Sequence, residues 1–282
     1  MKPTILYLLL FVSHSFISCS PQTNPPRTLN DGYKYLWGDE FNQDGRPDSQ
    51  KWDYEKGFIR NNEAQWYQPE NAFIKDGYLV IEARKEQIVN PNYDPESKSW
   101  PKNQQHAYYT SACLITKGKF EFKYGRVLMR SKINTAPGQW PAFWMLGVNI
   151  DQVSWPACGE VDIMEFYRKT LFANAAWEGE KKVNWDDVKF PANELGDENW
   201  WNEFHEWRMD WDENKIDIFL DDRLLNSIDL TETVNFKIGN NPFQEPFYLL
   251  LNLALGQNFE HIPDETIPSR LEVDYVRVYQ KY

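Results

Sequence analysis

From Tyr35 onward, apolar residues recur in short runs separated by polar and turn-forming residues, and almost nowhere on a helical stripe. The runs predict strands over 73–75, 78–83, 113–116, 119–124, 125–133, 140–146, 160–166, 172–177, 205–211, 215–220, 223–229, 247–255 and 270–279. Many strands with turn signals between them predict an all-β chain. The expected architecture is a β-sandwich, or jelly roll, of two curved antiparallel sheets with a concave substrate cleft across one of them. No linker, internal repeat or low-complexity run interrupts residues 35–282, which are expected to form one domain. An open cleft of this kind suits a long polymer lying across it.

One run breaks the pattern in an informative way. Residues 155–166 thread Glu160, Asp162 and Glu165 through Val161, Ile163, Met164 and Phe166. In a strand, Glu160 and Asp162 share a face, whereas Glu165 is out of parity with them. A β-bulge at Ile163–Met164 would return it to their side and put three acids in a row on one face. Ionised carboxylates are costly to strip of water, and three together repel, which raises at least one pKa. A raised acid beside an ionised one is the pairing that glycosidic cleavage uses, as proton donor and as nucleophile or base. A solvated acidic edge strand would carry the same charges, but not the tight apolar interleaving.

The formal charge of −12 and the pI near 4.9 exclude nucleic acid as a partner and disfavour an anionic membrane surface. The 13 Trp are dense enough to serve both a core and stacking platforms for sugar rings. The four His show no triad or zinc spacing, and no phosphate loop or dinucleotide fingerprint occurs. At the N-terminus, Lys2 and the apolar run from Ile5 to Val12 predict a signal peptide over 1–19, too short to span a bilayer. It ends in Phe16-Ile17-Ser18-Cys19, which is similar to a bacterial lipobox with Cys19 as the lipid-bearing residue. Residues 20–34, with Pro21, Pro25 and Pro26, read as a flexible tether. The expected locale is therefore export, with anchoring to a membrane, or secretion if the lipobox is unused. Cys113 and Cys158 are read as buried thiols, a disulfide being the alternative that export permits.

The acidic run, preceded by Trp155-Pro156 and Cys158-Gly159, resembles the active-site strand of glycoside hydrolase family 16, in its laminarinase-like branch. The resemblance extends over nearly the whole domain. Its motifs are Trp37-Gly38-Asp39-Glu40-Phe41, 61–67 (Asn-Asn-Glu-Ala-Gln-Trp-Tyr), 117–126, 140–146 (Trp-Pro-Ala-Phe-Trp-Met-Leu), Phe204-His205-Glu206-Trp207 and 273–279. It implies a retaining endo-β-glycosidase with Glu160 as nucleophile, Glu165 as acid/base and Asp162 between them. It implies sugar contacts from Trp140, Trp155 and Trp177, and from Asn61, Glu63 and Trp66 in a substrate-side loop. Trp144 suits core and cleft equally, and Asn61 and Glu63 would also suit a self-capping turn. No cofactor is implied for catalysis. A structural calcium at Glu40, Gly77 and Asp274 is, although Asp274 would also suit a salt bridge. A monomer acting on a polysaccharide or glycan is expected, most readily a β-1,3- or mixed-linkage β-1,3/1,4-glucan.

Two departures narrow that lead. The family's usual Arg after Tyr-Thr-Ser-x is Cys113 here, and its usual His before the Trp of the next strand is Ala176. Lost donors change which hydroxyls can be paired, and unpaired hydroxyls discriminate strongly between sugars. An endo-β-galactosidase acting on agar-, porphyran- or poly-lactosamine-type chains, including mucin and keratan types, is the competing reading. A non-catalytic surface glycan-binding lipoprotein on the same scaffold is the competitor from another class, disfavoured because a binder has no use for clustered acids. Transglycosylation would share the same covalent intermediate as hydrolysis.

Overall fold

The computed structural model describes residues 25–256 and 261–281, so the expected signal peptide and its Cys19 lie outside the described residues. Two antiparallel sheets form the body. In the first, Arg223–Asp229, Lys215–Leu220, His205–Trp211, Gly125–Lys132 and Ser269–Gln280 follow one another. The long last strand then takes two partners on its far side, Tyr78–Ala83 along its first half and Lys34–Asp39 along its second. Ala72–Lys75 completes the eight. The second sheet runs Val183–Pro191, Thr170–Glu178, Glu160–Tyr167, Gln139–Gly147, Phe247–Leu255, Cys113–Ile115 and Asp53–Tyr54.

Alternation decides what lies between the sheets. In the Gln139–Gly147 strand, Phe143 and Met145 enter the shared core with Val127, Met129, Trp207, Met209 and Val276 of the first sheet. Trp144, Ala142 and Leu146 face the other way, where a smaller cluster with Cys113, Cys158, Tyr67 and Tyr248 supports the cleft floor. Both faces of this strand are buried along its whole length, which is why its sequence is almost wholly apolar. Both cysteines are free and buried.

Several expectations need correcting. Residues 119–124 are not a strand; Lys119 and Phe120 close a turn onto Thr116, and only Phe122 makes a bridge, to Phe247. The Val183–Pro191 strand was not predicted. Its apolar residues change sides part-way, Trp185 facing outward while Val188 and Phe190 pack against the core, so no single alternation runs through it. It is the edge of its sheet, and Asp186, Asp187, Lys189 and the terminal Pro191 suit an edge that must not pair further. The tether ends before residue 34: Thr28 bridges Lys34, Leu29 and Tyr33 close a turn, and Asp31 pairs with Arg126 at 2.7 Å.

Both carboxylates of the calcium set expected at Glu40, Gly77 and Asp274 are engaged by the protein's own cations. Glu40 is held bidentately by Arg277 at 2.8 and 2.7 Å, and Asp274 pairs with Arg130 at 2.5 Å. No group of three or more His, Cys, Asp and Glu side chains placed to hold a metal occurs among the described residues. No helix among them is long and apolar enough to cross a membrane.

Candidate active site

The Glu160–Tyr167 strand is launched from a tight turn. Ser154 and Gly159 both have left-handed backbones, at φ 61° and 80°. A Cβ on Gly159 would lie 2.9 Å from both Phe247 Cζ and Pro242 Cβ, so only glycine lets the turn approach this closely. The strand then pairs Glu160 with Leu146 and Asp162 with Trp144 on one neighbour, after which the register slips and Glu165 faces Ala142. On the other neighbour Asp162 faces Asn174 and Glu165 faces Phe172, two intervening residues opposing one. The bulge therefore falls at Ile163–Met164. Both of those side chains are fully buried in the inter-sheet core, and all three acids emerge on the opposite face.

Those acids line a cleft of about 570 Å³ with Glu55, Arg60, Asn61, Glu63, Trp140, Trp144, Trp155, Trp185, Tyr248 and Asn252 among its walls. Two indoles address the outer acids directly. Trp155 Nε1 donates to Glu160 Oε2 at 2.7 Å, and Trp140 Nε1 donates to Glu165 Oε1 at 2.6 Å. Trp140 is itself stacked on Tyr167 with centroids 4.5 Å apart, which fixes its ring plane.

Burial raises the pKa of all three acids, by different routes. For Asp162 burial is the largest cause, and the charges of Glu160 and Glu165 on either side add to it, holding it well above the usual carboxylate range. Its hydrogen bond with Glu160 raises Asp162 and lowers Glu160, as expected if Asp162 keeps the proton and donates it. Glu160 is raised by burial, with Trp155, Asp162 and Arg60 opposing. Glu165 is pushed up to about 7 by burial and by Glu160 and Glu63, against the Trp140 hydrogen bond. Near neutrality the trio thus holds a proton ready on Glu165, with Glu160 the acid most stabilised as an anion.

A second network braces the opposite wall. Glu63 Oε2 accepts from Gln65 at 2.7 Å and from the Tyr67 hydroxyl at 3.3 Å, while its other oxygen accepts from Asn61 at 3.1 Å. Asn252 donates to Tyr67 at 3.2 Å and accepts from Trp144 Nε1 at 2.7 Å. Arg60 pairs with Glu55 and lies over the Trp144 ring, 4.9 Å from its centroid.

The structure brings Glu160, Asp162, Glu165, Trp140, Trp155, Asn61 and Glu63 to one cleft and leaves two expected residues out of it. Trp177 follows Ala176, which faces the cleft opposite Glu160, so its own side chain points the other way. It packs against the core and meets Phe243 edge-on at 6.2 Å. Trp66 packs against Phe58 behind the loop, because Gln65 and Tyr67 are the inward residues of its short strand. Sequence reasoning missed Arg60, Glu55, Asn252 and Trp185. Only Trp185 carried a signal, an isolated aromatic in a charged stretch. Trp144, suited equally to core and cleft, lies in the cleft.

The family model for glycosyl hydrolases family 16 matches residues 60–277. Glucan endo-1,3-beta-glucosidase A1 of Niallia circulans is 34% identical over 275 residues, covering 89% of this chain but 38% of its own length. The chain therefore spans well under half of that relative. Among solved structures, one of the endo-acting O-glycanases that prominent members of the human gut microbiota express to initiate mucin breakdown is 37% identical. It has a TM-score of 0.81 and covers 91% of this chain and 94% of its own. The laminarinase catalytic domain of Thermotoga maritima is 34% identical, with a TM-score of 0.72 over 89% of this chain and 99% of its own.

Proposed function

The chain belongs to glycosyl hydrolase family 16, and from that membership we propose that it is a retaining endo-β-glycosidase cutting internal bonds of a β-1,3- or mixed-linkage β-1,3/1,4-glucan. The observation that carries the reading is the bulged strand, which sets three buried acids side by side on a cleft floor. In the first step Glu160 attacks the anomeric carbon as the bond to the leaving oxygen breaks, and Glu165 gives that oxygen its proton. Water then attacks the glycosyl–Glu160 ester, Glu165 takes the water's proton, and Glu160 is released with the product of unchanged configuration. Asp162 orients Glu160 and, by keeping its own proton, removes one negative charge from between the other two.

The test is digestion of laminarin and barley β-glucan, with product anomers followed by NMR from the first turnover. Retained anomers and a ladder of oligosaccharides are expected. Inverted anomers would refute the mechanism, and monosaccharide from the start would refute internal attack.

A second reading is favoured by Cys113 and Ala176 and by the likeness to the mucin-active O-glycanase structure. In it the same machinery cuts a galactose-containing glycan of poly-lactosamine type. Intact glucans beside shortened poly-lactosamine glycans would decide for it. For the leader we propose lipid attachment at Cys19 after export; a mature chain in cells that takes up no labelled palmitate would exclude it.

A further inference from the structure

Glu160, Ala176 and Trp185 face one another directly across three neighbouring strands of the cleft sheet. Directly opposed residues share a face with Cβ atoms about 5 Å apart, so Trp185 rises from the cleft side two strands from the nucleophile. Ala176 stands between them, on the cleft face and 0% exposed. The single methyl of Ala176 puts no large side chain between them, and Trp185 lines the cleft with Trp155. Trp185 is 43% exposed, unusual for the largest side chain on a charged edge strand, and Trp155, in the turn before Glu160, is 46% exposed. Trp185 is not needed to hold its strand, which is anchored through Val188, Phe190 and the Asp186–Asn226 hydrogen bond at 3.0 Å.

We propose that Trp185, opposite Trp155, is the platform of an outlying subsite that stacks a pyranose ring of the substrate chain beyond the residue attacked by Glu160. Two strand spacings put it about 10 Å from the nucleophile's row, too far to serve the sugar undergoing reaction. The Trp155 N–H is already given to Glu160, so Trp155 presents its ring face rather than a donor. Such a subsite stacks on the C–H face of a β-linked sugar. The axial hydroxyl of galactose leaves one ring face free to stack, whereas glucose offers both. The platform and the polar wall around Arg60, Asn61 and Glu63 therefore both bear on that choice. The inference rests on the reading that the cleft holds a glycan chain, not on which sugar the chain contains.

The experiment compares the wild type, Trp185→Ala and Trp185→Phe on laminarin and on poly-lactosamine glycans, with binding to the same polymers titrated in a Glu160→Gln background. Trp185→Ala should raise KM for the polymer cut by about tenfold, equal to about 1.4 kcal/mol, with kcat changed by less than about twofold. Trp185→Phe should recover most of the loss, and the binding titration should show the same order. Product lengths should also shift, since one anchoring ring is lost. Unchanged KM, binding and product lengths in Trp185→Ala would overturn the platform. If the wild type cut neither polymer, the choice of these two substrates would fail by itself, and the binding titration would still decide for or against Trp185.

Discussion

Trp140→Phe isolates what one hydrogen bond does to the acid/base. The indole N–H reaches Glu165 Oε1 at 2.6 Å and stabilises the carboxylate form, while burial, Glu160 and Glu63 push the other way and leave the group at about 7. Phenylalanine keeps the apolar ring against Tyr167 but removes the donor. A hydrogen bond to a charged group contributes roughly 1.5–3 kcal/mol, and one pKa unit corresponds to about 1.4 kcal/mol. Losing it raises the pKa by one to two units at most, and water entering the cleft recovers part. In the proposed mechanism Glu165 acts first as an acid, so activity should fall on the alkaline side as it loses its proton. The alkaline limb of kcat/KM should therefore move from near 7 to about 8, while the acid limb, set by ionisation of Glu160, moves little. The assay is reducing-end release across pH 4 to 10. Trp144→Phe is the control, because its N–H serves Asn252 rather than an acid, and its limb should stay in place. An alkaline limb that stayed put or moved down in Trp140→Phe would refute the assignment of Glu165 as the proton donor held by Trp140.

Further outcomes follow from the same geometry. Glu160→Gln should lower kcat by several orders of magnitude while retaining glycan binding by calorimetry, since the side chain keeps its size and its place beside Trp155. Asp162→Asn should cost less, yet displace the pH profile, because it removes the proton shared with Glu160; near-normal rates with an unmoved profile would make Asp162 purely structural. Glu165→Gln should stabilise the fold. A folded pKa raised from 4.5 to about 7 contributes stability that is intact below pH 4.5 and lost as pH rises through 7. The variant should gain up to about 3 kcal/mol above pH 7 and nothing below pH 4, read from denaturant midpoints. Cys113 and Cys158 should stay unreactive to thiol reagents until the protein unfolds, and dithiothreitol should leave Tm unchanged.

The acid trio was legible because burial and parity constrain each other. Glu165 could join Glu160 and Asp162 only through a bulge, and apolar Ile163 and Met164 marked where the extra residue had to go. The same parity rule failed for Trp177 because nothing in its own segment says which set of alternate residues meets the cleft. That is decided by Ala176 facing Glu160 on the neighbouring strand. The Val183–Pro191 strand was hidden because a cleft-facing Trp185 and core-facing Val188 and Phe190 cancel any simple alternation. Arg60 was illegible for another reason. Its place over Trp144 depends on Glu55 and on a loop with left-handed Asn61 and Asn62, and none of these contacts is local in pattern. The pairing of Glu40 and Asp274 with Arg277 and Arg130 was likewise illegible, because no local pattern ties those residues together.

The bulge also bears on how such a strand can change over time. It holds Glu165 on the cleft side by spending one extra residue, and both bulged side chains are simple core apolars. Removing Met164 would leave the acids at alternating positions on an unbulged strand, still all on the same face. A strand built this way can shorten by one codon without turning any acid into the core, which ordinary strands cannot do. Chain length at this one point can therefore change in a single mutational event, and with it the reach between the outer carboxylates.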